Sequence, residues 1–166
     1  LRPPSTKRIG ADMKYVYQLC NVKYVLLVLL LSLTNVALAL EYVSVEDKSA
    51  ILYDANSIQA KKLFVISRHT PLEKVVNLGG WIKVRDSSGT MAWIERRAVS
   101  DTRYVVVTVP LATVRQAPEY NAPVMFQLTQ NVLVESLGVN GGGWLKIRHR
   151  DGSSGFMRSL EVWGAE

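Results

Sequence analysis

Trp81 and Trp144 each follow a glycine at the start of a run in which apolar and basic residues alternate. An indole joins a broad apolar face to a single N–H donor. A tryptophan in that place either stacks on a ligand or seals the end of its fold, and the two readings stand side by side. Tyr53, in Ile51-Leu52-Tyr53-Asp54, is a third aromatic with the same potential. Groups for covalent chemistry are scarce. His69 and His149 stand beside Arg68 and Arg148, with no neighbouring His or Cys to make a metal site or a nucleophile and base pair. Gly152-Ser153-Ser154-Gly155 lacks the Gly-x-Ser-x-Gly spacing of a nucleophile elbow and lies in a predicted hairpin rather than a strand-to-helix turn. The residues therefore predict contact chemistry, Tyr53, Trp81 and Trp144 being the ligand-binding candidates, with no catalytic residue, no cofactor and no metal.

Composition points the same way. The 166 residues are 48% hydrophobic and 20% charged, which suits one ordinary domain or two very small ones, and they include 1 Cys and 2 His. A disulfide scaffold, a zinc finger and an iron-sulfur site all need more ligands than that. The net charge of +6 invites a nucleic-acid reading until the N-terminal segment is set aside.

From Met13 the chain runs through Lys14 and Lys23 into the apolar stretch Val25 to Leu33 and ends at Ala37-Leu38-Ala39. A charged region, a hydrophobic stretch and a small-x-small site in that order predict a cleavable signal peptide, cut after Ala39. The apolar stretch is short for an anchor across roughly 30 Å of hydrocarbon. Cys20 precedes the stretch, so it is misplaced for lipid attachment and leaves with the leader. Removing residues 1–39 takes away Arg2, Lys7, Arg8, Lys14 and Lys23 but only one acid, Asp12, so the net charge falls from +6 to +2. The expected location is the periplasm, with no nucleic-acid partner and no membrane span after cleavage.

Compared with itself, the chain repeats. Gly80-Trp81-Ile82-Lys83-Val84-Arg85 returns 63 residues later as Gly143-Trp144-Leu145-Lys146-Ile147-Arg148, whereas Tyr42-Val43 returns after 62 as Tyr104-Val105. One residue is therefore inserted, and the loop before Trp144 is the expected place. Ile82, Val84 and Ile147 alternate with Lys83, Arg85, Lys146 and Arg148, the period of two that marks half-buried strands. Further apolar, β-branched runs are Tyr42 to Val45, Leu63 to Ile66, Val75-Val76, Val105 to Val109 and Val132 to Leu137. Asp86 to Gly89 and Asp151-Gly152 read as hairpin loops, and Asn140 to Gly143 as a flexible loop. About five short strands per copy suggest a small barrel. Trp93 and Phe156 are expected in its core. Lys61-Lys62, Arg96-Arg97 and Arg148-His149-Arg150 are expected to be solvated surface.

The pattern Gly-Trp-x-Lys-Val-Arg, a turn with Gly89, then Ala92-Trp93-Ile94, resembles the second half of bacterial SH3 (SH3b) domains. Val114-Arg115-Gln116-Ala117-Pro118 and Ala122-Pro123-Val124 are similar to an earlier strand and loop of that family. The resemblance implies an all-β fold, two tandem small SH3-like barrels after an N-terminal signal peptide, over residues 41–101 and 103–164. It also implies an exported, two-domain protein of the proteobacterial kind.

Ile51-Leu52-Tyr53-Asp54 is also similar to the Ala-Leu-Tyr-Asp-Tyr segment of SH3 domains that grip proline-rich peptides, but Ala55 replaces the second Tyr. Glu95 and Ala98 stand where those domains place a groove Pro and Tyr, and repeat 2 has Arg158 and Glu161 there and Arg115 in place of Tyr53. Prolines stack between parallel rings, and most of those rings are missing. Repeat 1, which keeps Tyr53, is the better candidate for binding. The expected function is an exported, non-catalytic SH3-type module that recognises cell-wall (peptidoglycan) peptide or an envelope protein partner. The alternative is a structural or assembly subunit of the envelope.

Overall fold

A computed structural model describes residues 40–165. The expected signal peptide, residues 1–39, lies outside the described residues. Repeat 1 is built from β1 (Glu41–Val45), β2 (Ser49–Tyr53), β3 (Lys62–Ser67), β4 (Pro71–Leu78), β5 (Trp81–Arg85), β6 (Met91–Glu95), a 3₁₀ turn at Arg96–Ala98 and β7 (Val99–Ser100). Repeat 2 follows as β8 (Tyr104–Val107), β9 (Leu111–Arg115), β10 (Val124–Thr129), β11 (Leu133–Asn140), β12 (Trp144–Arg148), β13 (Ser154–Arg158), a 3₁₀ turn at Ser159–Glu161 and β14 (Val162–Trp163). Each repeat forms one seven-stranded antiparallel sheet, in the orders β3-β2-β6-β5-β4-β1-β7 and β10-β9-β13-β12-β11-β8-β14. Together they form the all-β pair that the alternation of residue types predicts, in the two tandem SH3-like units that the resemblance implies. Seven strands replace the expected five because Ser49–Tyr53 pairs as a strand of its own and a two-residue strand follows each 3₁₀ turn.

Period-two alternation decides which side chains enter each core. In repeat 1, Val43, Val45, Leu52, Leu72, Ile82, Val84, Ala92 and Ile94 point inward and are buried. Their counterparts in repeat 2 include Val105, Val107, Val114, Val134, Leu145, Ile147 and Met157. Trp93 and Phe156 are not among them, which corrects the expectation. Their neighbours Ala92, Ile94 and Met157 are the inward residues, and Trp93 pairs in register with the outward Lys83, as Phe156 does with Lys146. A side chain opposite an outward lysine must itself face outward.

Irregularities recur at matched places. The ladder between β4 and β5 shifts register between Lys74 and Val76, and that between β11 and β12 shifts between Ser136 and Gly138. Such bulges bend a strand and deepen its twist, which helps a narrow sheet curl around its core. The inserted residue falls where the sequence places it. Gly79-Gly80 joins β4 to β5, and Gly141-Gly142-Gly143 joins β11 to β12.

The repeats touch directly. Tyr42 meets Trp163 edge to face, with ring centres 5.2 Å apart. The Tyr104 amide donates to Ser44 Oγ at 3.1 Å, and Ser44 is buried. His69, in the left-handed backbone region at φ 69°, lays its imidazole flat on Tyr104 at 3.9 Å.

Candidate functional site

The repeated Trp-x-Lys-x-Arg strand can be read residue by residue. Its arginine closes a cross-strand ion pair with the previous strand, Arg85 to Glu73 at 3.1 Å and Arg148 to Glu135 at 3.2 Å. Its lysine lies over the aromatic of the next strand, Lys83 over Trp93 at 6.0 Å and Lys146 over Phe156 at 5.8 Å. These contacts are internal and duplicated, so they account for the lysine and arginine without a ligand. The tryptophan is the residue whose surroundings differ between copies.

In repeat 1, β2 and β5 bring Tyr53 and Trp81 together. The rings meet edge to face with centres 5.3 Å apart and planes at 87°. Tyr53 is buried at 5% exposure, while Trp81 remains only half-buried. Tyr53 pairs with Trp93 across the sheet, and Trp81 pairs with Glu95. The Glu95 carboxylate accepts from Arg97 Nε at 2.8 Å, an exposed pair. Trp81, Tyr53, Trp93 and Glu95 thus form one side of repeat 1. Ala98, expected beside this groove, is instead buried in the core.

In repeat 2, Trp144 is covered by its own chain and is 5% exposed. Its cross-strand partner is Arg158. That guanidinium lies 5.1 Å from the Trp144 ring centre and 5.3 Å from that of Tyr120. Tyr120 meets Trp144 at 5.4 Å. Arg158 Nη1 donates to the Gly142 carbonyl at 2.7 Å, and its buried Nε has no hydrogen-bond partner. Arg115, at the place of Tyr53, is turned to the Ala122 carbonyl at 2.8 Å.

Sequence reasoning missed Tyr120. Strand-by-strand comparison finds no aromatic in repeat 2 to match Tyr53, because Tyr120 comes from the β9–β10 loop rather than from a strand. The loops are alike in their bonds. The Asp54 amide donates to Lys61 O in one and the Gln116 amide to Pro123 O in the other, which puts Ile58 at the position of Tyr120. A ring exposed by 67% in a Pro-flanked loop gives no periodic signal.

A cleft of about 640 Å³ lies elsewhere, lined by His69, Tyr104, Glu135, Arg148, His149 and Arg150 among others. Its charges are mostly paired within the chain. Arg148 holds Glu135, and His149 Nδ1 lies 3.0 Å from Asp151. The Asp151 carboxyl is held well below the usual carboxylate range, first by the Ser153 hydroxyl at 2.6 Å and then by the Ser153 amide. Among the described residues, no three His, Cys, Asp or Glu side chains gather in a way that could hold a metal ion.

Comparison with known proteins supplies the family. No curated protein matches the chain. Three solved structures are similar to it at low identity: NlpC2 from Trichomonas vaginalis (15% identity, TM-score 0.36, 75% of this chain and 48% of that one), NlpC1 from the same organism (15%, TM-score 0.37, 78% and 48%), and an NlpC/P60 family protein from Bacillus cereus (12%, TM-score 0.35, 74% and 55%). The chain spans about half the length of these proteins. The family model for the bacterial SH3 domain matches it twice, over residues 46–101 and 108–164. Both matches contain the Gly-Trp strand in the same register against its neighbour, and the chain belongs to the bacterial SH3 domain family.

Proposed function

We propose that the chain is an exported, non-catalytic binding module that recognises a cell-wall peptide or an exposed segment of an envelope protein through the Trp81 side of repeat 1. The observation that carries this reading is the unequal state of the two tryptophans. Trp81 meets Tyr53 edge to face with part of its indole open, whereas Trp144 is covered by Arg158 and Tyr120. A half-open indole beside charged groups suits a small polar ligand, held weakly because little apolar area is buried. Export rests on the order of charged, apolar and small residues before Leu40. Incubating the chain with purified cell-wall sacculi tests the reading. Retention that is lost with Trp81→Ala is expected, and equal retention of both proteins overturns it.

The contacts between repeats favour a second reading. Tyr42 with Trp163 and Ser44 with Tyr104 make the pair of units one body, as a spacer or assembly subunit requires. In that case neither protein is retained on sacculi.

A further inference from the structure

We infer that the Trp81 face takes a cationic side chain, an ammonium or guanidinium carried by an exposed peptide, in the place that repeat 2 fills with its own Arg158. This rests on the reading of Trp81 as the binding face and names the chemistry of what it holds.

The two repeats are built alike around this point. Trp81 pairs with Glu95 as Trp144 pairs with Arg158, and the amides of Arg96 and Ser159 donate to the carbonyls of Gly80 and Gly143. Two residues before each tryptophan stands a glycine in the left-handed region, Gly79 at φ 58° and Gly142 at φ 74°. In repeat 2 the guanidinium rests on the indole and reaches the Gly142 carbonyl at 2.7 Å. Ring and strand register are kept in repeat 1, where the glycine link is one residue shorter, but the charge at the partner position is reversed, from Arg158 to Glu95.

Among the described residues, no cation lies over the Trp81 ring. Lys83 sits on Trp93 instead. Arg97 holds Glu95 from a position 81% exposed, an ion pair that water and an incoming cation can readily replace. An indole face whose cross-strand partner is a carboxylate residue attracts a cation through the ring quadrupole and through the charge. Repeat 2 thus displays, within one chain, the occupant that repeat 1 lacks.

The test is an NMR titration of the chain, following the tryptophan indole N–H signals, with N-acetyl-arginine amide, N-acetyl-lysine amide and the neutral isostere N-acetyl-citrulline amide. The Trp81 signal is expected to shift saturably with the two cations, citrulline to bind about two- to fivefold more weakly, and Trp144 to stay still. Glu95→Gln should weaken the cations by a similar factor. Glu95→Arg should abolish the Trp81 response by supplying the cation internally, and Arg158→Glu should make Trp144 respond. Equal binding of citrulline and arginine, or titration unaffected by Glu95→Gln, overturns the inference. Sacculus retention that needs Trp81 but not Glu95 leaves the cell-wall reading standing while this one falls. An arginine response that needs Glu95, without sacculus retention, does the reverse.

Discussion

Tyr42 and Trp163 stand at right angles across the boundary between the repeats, 5.2 Å from centre to centre and 90° between planes. One ring comes from the first strand of repeat 1 and the other from the last strand of repeat 2, so the contact ties together the two ends of the described chain. Edge-to-face pairs add about 0.5–1.5 kcal/mol beyond the area they bury. In a double-mutant cycle with Tyr42→Ala and Trp163→Ala, followed by chemical denaturation, a coupling energy in that range is expected. Strict additivity would mean that the rings stabilise their own repeats separately.

Gly155→Ala should destabilise repeat 2. A Cβ there would lie 2.6 Å from Val114 Cγ1 and 2.7 Å from the Arg115 carbonyl, closer than atoms pack. Overpacking of this kind costs about 1–3 kcal/mol. Repeat 1 carries Ala92 at the matching place and buries it, so Ala92→Gly should act through backbone freedom and a lost methyl instead. Denaturant midpoints of the two variants would separate the cases.

Asp151→Asn should lower the thermal midpoint at neutral pH, and the difference should vanish in acid. The folded pKa of Asp151 is depressed, chiefly by the Ser153 hydroxyl and amide. Its stabilising effect is therefore fully present above the unfolded value of about 3.9 and is lost as pH falls toward the depressed folded value. Melts of both proteins at several pH values between 7 and 2 would show the gap narrow once the pH falls below the unfolded value. A gap independent of pH would place the effect elsewhere in the loop.

Proline-rich peptides should leave the Trp81 environment unchanged up to millimolar concentration. Ala55 offers no ring, Glu95 carries a charge where a groove needs an apolar residue, and Ala98 is enclosed in the core. Tryptophan fluorescence during titration would report it, and tight, saturable binding would contradict the arrangement of rings described above.

The strands and the repeat were legible because both rest on local pattern. The alternation around Ile82 and Val84 set which face of β5 is buried, and the change of offset from 62 to 63 located the extra residue among Gly141 to Gly143. The same alternation, carried across the hairpin, would have placed Trp93 outside opposite Lys83. Alternation along β6 alone leaves open which of its two faces is inward, and the pairing of Trp93 with Lys83 decides it. The covering of Trp144 was not legible, because it depends on a loop residue, Tyr120, meeting a strand residue, Arg158, 38 positions later in the chain. No periodicity links such positions, and only the folded hairpins bring them together.

Duplication of a binding domain ordinarily raises avidity, because a second site linked to the first rebinds at high effective concentration. Arg158 removes that advantage here. With Trp144 occupied from within, only one of the two Gly-Trp positions keeps an open indole, and on this reading the chain is monovalent. It would dissociate from a polymer at the rate of a single weak contact, unless several chains are held side by side.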